Sequence, residues 1–247
     1  MHDAALAHLG IEGRYQLLPV PPELFAETVP HLPLRGANVT IPHKEAALRL
    51  AADATPRARA IGAANTLTFE DDGIVADNTD APGLLRAIGE PVAGRTALVL
   101  GAGGSARAAA WALREAGCAD VAVHNRTPER ARRLAADLGV RAVDRPGPAD
   151  LCVHCTSVGL PPRVKELPVP ADALGQYATV VDLVPAPGGT ALLAEAKARG
   201  ARTVDGLEVL VHQGALSFET WTGRVAPVDV MRRAAHGSHP DTHHEPR

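Results

Sequence analysis

The sequence predicts an α/β protein of two lobes, one of them a doubly wound parallel sheet. Three observations carry this: short β-rich runs alternate with Ala-rich helical stretches from about residue 95 to 205, a glycine-rich turn joins the first such strand to the first such helix, and a further apolar helix follows once the alternation ends. At 247 residues the chain has ample length for a buried core. With only 3 Phe, 2 Trp and 2 Tyr, that core must be built from Ala, Leu and Val, and stacking platforms for bases or sugars are disfavoured.

Taken in order, the first unit holds strand candidates at Tyr15 to Pro19, Gly36 to Thr40 and Thr66 to Glu70, with a helix from Pro42 to about Ala52. The alternation then runs as strand Thr96 to Leu100, helix Ser105 to Ala116, strand Val121 to His124 and helix Pro128 to Leu138. Strands Leu151 to His154 and Val180 to Val184, helix Thr190 to Arg199 and a short strand near Ala201 to Val204 complete it. After Asp205, the residues Leu207, Leu210, Val211, Gly214, Phe218 and Trp221 recur at helical spacing. That helix is expected to pack back on the first unit, leaving the active site in the cleft between lobes.

Charge and composition narrow the function. Net charge is −3, from 25 basic and 28 acidic residues, so nothing favours nucleic acid or another polyanion as partner. There is no apolar run of bilayer length and no charged-then-apolar leader, so membrane and secretory readings fall away. Three cysteines suit a reducing cytoplasm better than a disulfide framework. The tail from His236 to Arg247 is rich in His, Pro and polar residues and is expected to be disordered.

Strand Thr96 to Leu100 runs into Gly101-Ala102-Gly103-Gly104-Ser105-Ala106 and then a helix, the setting that a G-x-G-x-x-G/A dinucleotide fingerprint requires. Gly101 permits the tight turn, Gly103 removes a Cβ that would block the pyrophosphate, and Ala106 lets helix approach strand. The ribose determinant lies where the second strand ends, in His124-Asn125-Arg126-Thr127, and holds no carboxylate for the 2′-OH of NAD. A guanidinium there suits a 2′-phosphate, so NADP is the implied cofactor. Thr127 fits a second role as cap of the helix opening at Pro128.

Other groups are ambiguous from the residues alone. Lys44 stands in the first turn of a helix whose first residue is expected to be Pro42, where the macrodipole disfavours a cation. That points to function, although an exposed lysine beside Glu45 is tolerated there too. Asp77-Asn78-Thr79-Asp80-Ala81-Pro82-Gly83 reads as a turn with Asx hydrogen bonds, or as a polar cluster facing the cleft. Asn65 is open in the same way. Cys152 and Cys155 have C-x-x-C spacing, but in a strand a spacing of three sends them to opposite faces, against redox chemistry. No metal is expected, since His239, His243 and His244 lack companion ligands.

Taken together, Gly36-x-Asn38-Val39-Thr40-x-Pro42-x-Lys44, Gly62-Ala63-x-Asn65-Thr66, Asn78-Thr79-Asp80, Gly101-Ala102-Gly103-Gly104, Asn125-Arg126-Thr127, Gln213-Gly214-Ala215 and Trp221-Thr222-Gly223 resemble the shikimate dehydrogenase family over nearly the whole chain. The resemblance implies a substrate-binding domain over 1–84 plus 206–235, a Rossmann NADP-binding domain over 85–205, and a tail over 236–247. It makes Lys44 and Asp80 the catalytic pair and places Thr40, Asn65 and Gln213 at the substrate. The cofactor set becomes Gly101, Ala102, Gly103, Gly104, Ser105, Ala106, Asn125, Arg126, Thr127, Thr156 and Gly206. The implied reaction is reversible reduction of 3-dehydroshikimate to shikimate with NADPH, by a cytoplasmic monomer or homodimer.

Three departures from the family pattern stand out. Members usually open with a strand and a Ser-x-Ser-Pro turn that holds the substrate carboxylate, whereas this chain opens at Met1-His2-Asp3, which predicts weak substrate anchoring and an unpaired sheet edge. Pro185 stands where a tyrosine is expected, and His154 where an asparagine is expected. The competing readings are a quinate- or aminoshikimate-type relative and an NADP-binding protein with little turnover.

Overall fold

The computed structural model describes residues 1–237. Of the expected disordered tail, His236 and Gly237 follow the last helix, and the rest, including His239, His243 and His244, lies outside the described residues.

The first lobe opens with α1 (His2–His8). No strand forms at Tyr15 to Pro19, contrary to expectation. A strand needs a ladder partner, and this stretch is held by side chains instead: the Tyr15 amide donates to Asp3 and its hydroxyl to Asn38. After α2 (Phe25–Thr28) come β1 (Gly36–Asn38), α3 (Lys44–Leu50), β2 (Asp53–Ala54), α4 (Pro56–Ile61), β3 (Thr66–Glu70) and β4 (Gly73–Asp77). They form a sheet in the order β1-β3-β4-β2, in which β3 is antiparallel to both neighbours and β2 is parallel to β4. The sheet ends at β1, whose free edge faces an apolar cavity of about 880 Å³ walled by residues such as Leu6, Tyr15, Leu18, Phe25 and Trp221.

Helix α3 is shorter than the sequence suggests. Pro42 lies in a turn that closes from the His43 amide onto the Thr40 carbonyl, so Lys44 and not Pro42 is the first helical residue. At the other end Ala51 is extended and Ala52 already bonds to Ile74 in the sheet, which stops the helix. The Asn-Asp cluster makes its turn and continues: Asn78 Oδ1 accepts from the Ala81 amide, and α5 (Asp80–Ile88) follows, running across residues 84 and 85.

The second lobe comprises β5 (Thr96–Leu100), α6 (Gly104–Glu115), β6 (Asp120–His124), α7 (Pro128–Leu138), β7 (Arg141–Ala142), β8 (Leu151–His154), β9 (Thr179–Asp182), α8 (Ala191–Ala198) and β10 (Arg202–Val204). All strand pairs are parallel, in the order β10-β9-β8-β5-β6-β7. The chain winds one way from β5 to β7 and the other way from β8 to β10, so a crevice opens beyond the C-terminal ends of β5 and β8. The sheet is filled on one side by Val99, Val123, Val153 and Leu113, and on the other by Leu98, Cys152, Val180 and Leu192. Cys155 packs with the first group, so the two cysteines do face opposite ways. Burial pushes both thiols up, that of Cys152 to about 12.

Helix α9 (Gly206–Thr222), capped by the Asp205 carboxylate, leads back to the first lobe, and α10 (Val228–Ala235) packs on it. Val211, Ala215 and Phe218 of α9 share a core with Ala5 of α1 and Met231 of α10. The contact that matters most for the site is between α5 and α9. A Cβ on Gly83 would lie 2.8 Å from the Gln213 backbone, so glycine alone lets the helices approach this closely.

This packing makes stability testable at two positions. Gly83→Ala forces α5 and α9 apart, and chemical denaturation should report a loss of about 1–3 kcal/mol. His2 is buried against the Tyr15 ring, its Nε2 has no partner, and burial lowers its pKa from 6.5 to about 4. The unfolded chain therefore takes up this proton first, so stability present above pH 6.5 is lost on acidification towards pH 4, about 2 kcal/mol by pH 5. His2→Phe should flatten the melting temperature between pH 7 and pH 5; an unchanged slope would contradict the assignment.

Candidate active site

Four elements deliver polar side chains to one place. Lys44, at the start of α3, extends its Nζ to within 2.5 Å of Asp80 Oδ2, and the two side chains are only 11% and 13% exposed. Asp80 is the first residue of α5, where the helix dipole favours a carboxylate. Its second oxygen accepts from Asn65 Nδ2 at 2.9 Å, and the same amide nitrogen lies 2.9 Å from Gln213 Oε1 on α9. Asn65 is fixed from its other end as well, its Oδ1 accepting from the Thr79 amide at 2.7 Å. Below the cluster, Asp77 is clamped by the Arg57 guanidinium and the Thr55 hydroxyl, which anchors the strand end that leads into α5.

The lysine also reaches the other lobe. Its Nζ donates to Ser105 Oγ at 2.9 Å, in the first turn of α6. A Cβ on Gly104 would lie 2.8 Å from the Lys44 Cβ, so the lysine stem rests directly on the glycine-rich turn. Arg107, two residues further along α6, joins the lobes by donating to the Ile61 carbonyl and is braced within its own lobe by Asp137 of α7. An ammonium has three protons, of which Asp80 and Ser105 accept two. The third is available to an oxygen arriving in the crevice.

The turn itself fits a dinucleotide phosphate. Gly101 has φ +122°, and a Cβ there would press on the Cys155 carbonyl; a Cβ on Gly103 would meet nothing within 4 Å, so open space lies over the turn. No side chain caps α6, which leaves its first backbone N–H groups free for an anion. Ala102 flanks the turn, and Ala106 is fully buried beneath it. Beyond β6, Arg126 and Thr127 are exposed, and the Asn125 amide donates to the Thr127 carbonyl. Among the described residues Arg126 makes no ion pair. Thr127 occupies the cap position of α7 without a capping bond, so its hydroxyl is not committed to the helix. Thr156 follows β8 and lines the crevice opposite, its methyl 3.3 Å from where a Gly101 Cβ would be. Gly206 begins α9 so close to the Val184 carbonyl that a Cβ would overlap it.

Thr40 is the exception. It lies exposed on the loop before α3, on the cavity wall, and among the described residues its side chain makes no hydrogen bond to the Lys44 cluster. Beside it runs a second polar chain that sequence reasoning passed over: Tyr15 donates to Asn38 at 2.9 Å, and Asn38 to Ser217 at 3.0 Å. The available signal was Ser217, a polar residue one helical turn after Gln213 on an otherwise apolar face.

Comparison with known proteins agrees along the chain. Three family profiles match: the shikimate dehydrogenase substrate binding domain over residues 1–67, shikimate / quinate 5-dehydrogenase over 84–146, and the shikimate 5′-dehydrogenase C-terminal domain over 206–236. The shikimate dehydrogenase (NADP(+)) of Moorella thermoacetica is 43% identical over 253 residues, spanning 94% of this chain and 86% of that protein. That of Methylobacterium radiotolerans is 49% identical, spanning 92% and 88%. The crystal structure of shikimate 5-dehydrogenase from Thermus thermophilus in complex with NADP(H) and shikimate matches with a TM-score of 0.87 at 42% identity, covering 96% of this chain and 92% of that one.

Proposed function

The chain belongs to the shikimate dehydrogenase family, and on that premise we propose that it reversibly reduces 3-dehydroshikimate to shikimate with NADPH, a step of aromatic amino acid biosynthesis. The observation that carries the reading is the buried ammonium of Lys44, held between Asp80 and the first turn of the dinucleotide-type helix.

When bound, NADPH supplies the hydride. The residues that would hold it are Gly101 to Ala106 at the pyrophosphate, Asn125, Arg126 and Thr127 at the 2′-phosphate, and Thr156 and Gly206 across the crevice. Reduction of a ketone leaves negative charge on its oxygen, which needs a positive group at hand and then a proton. Lys44 Nζ meets both needs, with Asp80 orienting the ammonium and balancing its charge. Asn65 and Gln213, bonded to each other beside Asp80, are assigned to the substrate hydroxyls by their place next to the ammonium, and Thr40 is assigned to the substrate from the loop before α3 on the family resemblance alone. All three thiols, Cys118, Cys152 and Cys155, are free, which supports assigning the enzyme to the cytoplasm.

Lys44→Ala should lower kcat for shikimate oxidation by about 10²–10⁴-fold while leaving NADP affinity within a factor of about two of the parent. Near-parent turnover at neutral pH would remove the assignment. Arg126→Ala should weaken NADP by about tenfold or more and NAD little, since only NADP offers a phosphate for a charge-assisted bond. Equal losses for both cofactors in titrations would place the specificity elsewhere.

A further inference from the structure

A second buried network lies beneath the dinucleotide turn, and the reaction described above does not use it. His154 ends β8 and Asp182 ends β9, and the two are register partners on adjacent parallel strands with side chains only 1% exposed. His154 Nδ1 lies 2.8 Å from Asp182 Oδ1. The same oxygen accepts from the Val184 amide at 3.1 Å, and Oδ2 accepts from the Thr190 hydroxyl at 2.6 Å. Asp182 is thus the acceptor of three bonds, which puts the imidazole proton on Nδ1. On the far side of the ring, Nε2 lies 2.6 Å from Thr156 Oγ1.

This arrangement fixes the polarity of the Thr156 hydroxyl. Its proton is directed to Nε2, and one lone pair takes the Val158 amide at 3.2 Å. One lone pair of the oxygen remains uncommitted, on a residue that is only half-buried and whose methyl lies beside Gly101 at the crevice. The strand order β9-β8-β5-β6 sets Arg126, beyond β6, and Thr156, beyond β8, on opposite sides of the glycine turn. A dinucleotide held by its pyrophosphate over that turn, with its 2′-phosphate at Arg126, lays its nicotinamide half over β8.

We propose that Asp182 and His154 are positioning residues that hold the Thr156 hydroxyl as a fixed acceptor for an N–H or O–H donor on the nicotinamide nucleotide half of the cofactor. The proposal rests on the NADP reading above and extends it to residues that do not touch the cofactor. Asparagine at 154 would preserve a partner for Asp182 but is too short to reach Thr156, whereas glutamine places an acceptor near the position of Nε2.

The test is direct binding of NADPH and of 2′,5′-ADP, which lacks the nicotinamide half, to the full chain and its variants. Thr156→Val and His154→Asn should each weaken NADPH by about five- to tenfold, and the double variant should be no weaker than the worse single one. His154→Gln should recover part of the loss, and 2′,5′-ADP affinity should stay level throughout. A merely structural role would lower the melting temperature and move both ligands together or neither. The proposal is overturned if Thr156→Val binds NADPH like the parent, if the two losses multiply, or if 2′,5′-ADP weakens equally. Failure of the unsubstituted chain to bind NADPH would overturn the cofactor reading itself, and this proposal with it.

Discussion

The ammonium of Lys44 is the point on which both lobes close. It is nearly buried, and a buried charge is tolerable only when its hydrogen bonds are met. Asp80 of the first lobe meets one and Ser105 of the second meets another, so the orientation of the lysine and the relative placement of the lobes are a single constraint. Removing either charge would strand the other, at a cost of about 3–5 kcal/mol for a well-buried pair. Stability and reactivity therefore draw on the same contact.

Small residues make that contact geometrically possible. Gly83 lets α5 lie on α9, which brings Gln213 to Asn65; Gly104 lets the lysine stem lie on the dinucleotide turn. Each absent Cβ sits where two elements from different parts of the chain cross. The site is therefore assembled largely by backbone proximity, and its polar residues complete contacts that the glycines permit.

Much of this was legible in the sequence, for physical reasons that differ by region. Strands β5, β8 and the helix α7 match the expected residues at both ends because hydrophobic period, turn chemistry and a proline at the first helical position all agree there. The strand read at Tyr15 to Pro19 fails because periodicity reports a residue's preference and not the presence of a partner strand. The early start assigned to α3 fails because Pro42 was read as a helix opener when it belongs to a turn closed by Thr40. At the site, residues in recognisable strings, such as Asn78-Thr79-Asp80, were found. Contacts between distant segments, such as Asn38 with Ser217 or His154 with Asp182, were not, since the local strings that hold these residues do not show which distant residue each one meets.

The central claim is that Lys44 and Asp80 act on the transferred proton as one unit. A double-mutant cycle on kcat measures this most directly, with Lys44→Ala, Asp80→Asn and the combined variant assayed for shikimate oxidation after each is shown to be folded. The account predicts that the combined variant is no slower than the slower single one. Losses that multiply would mean two independent roles and would contradict it.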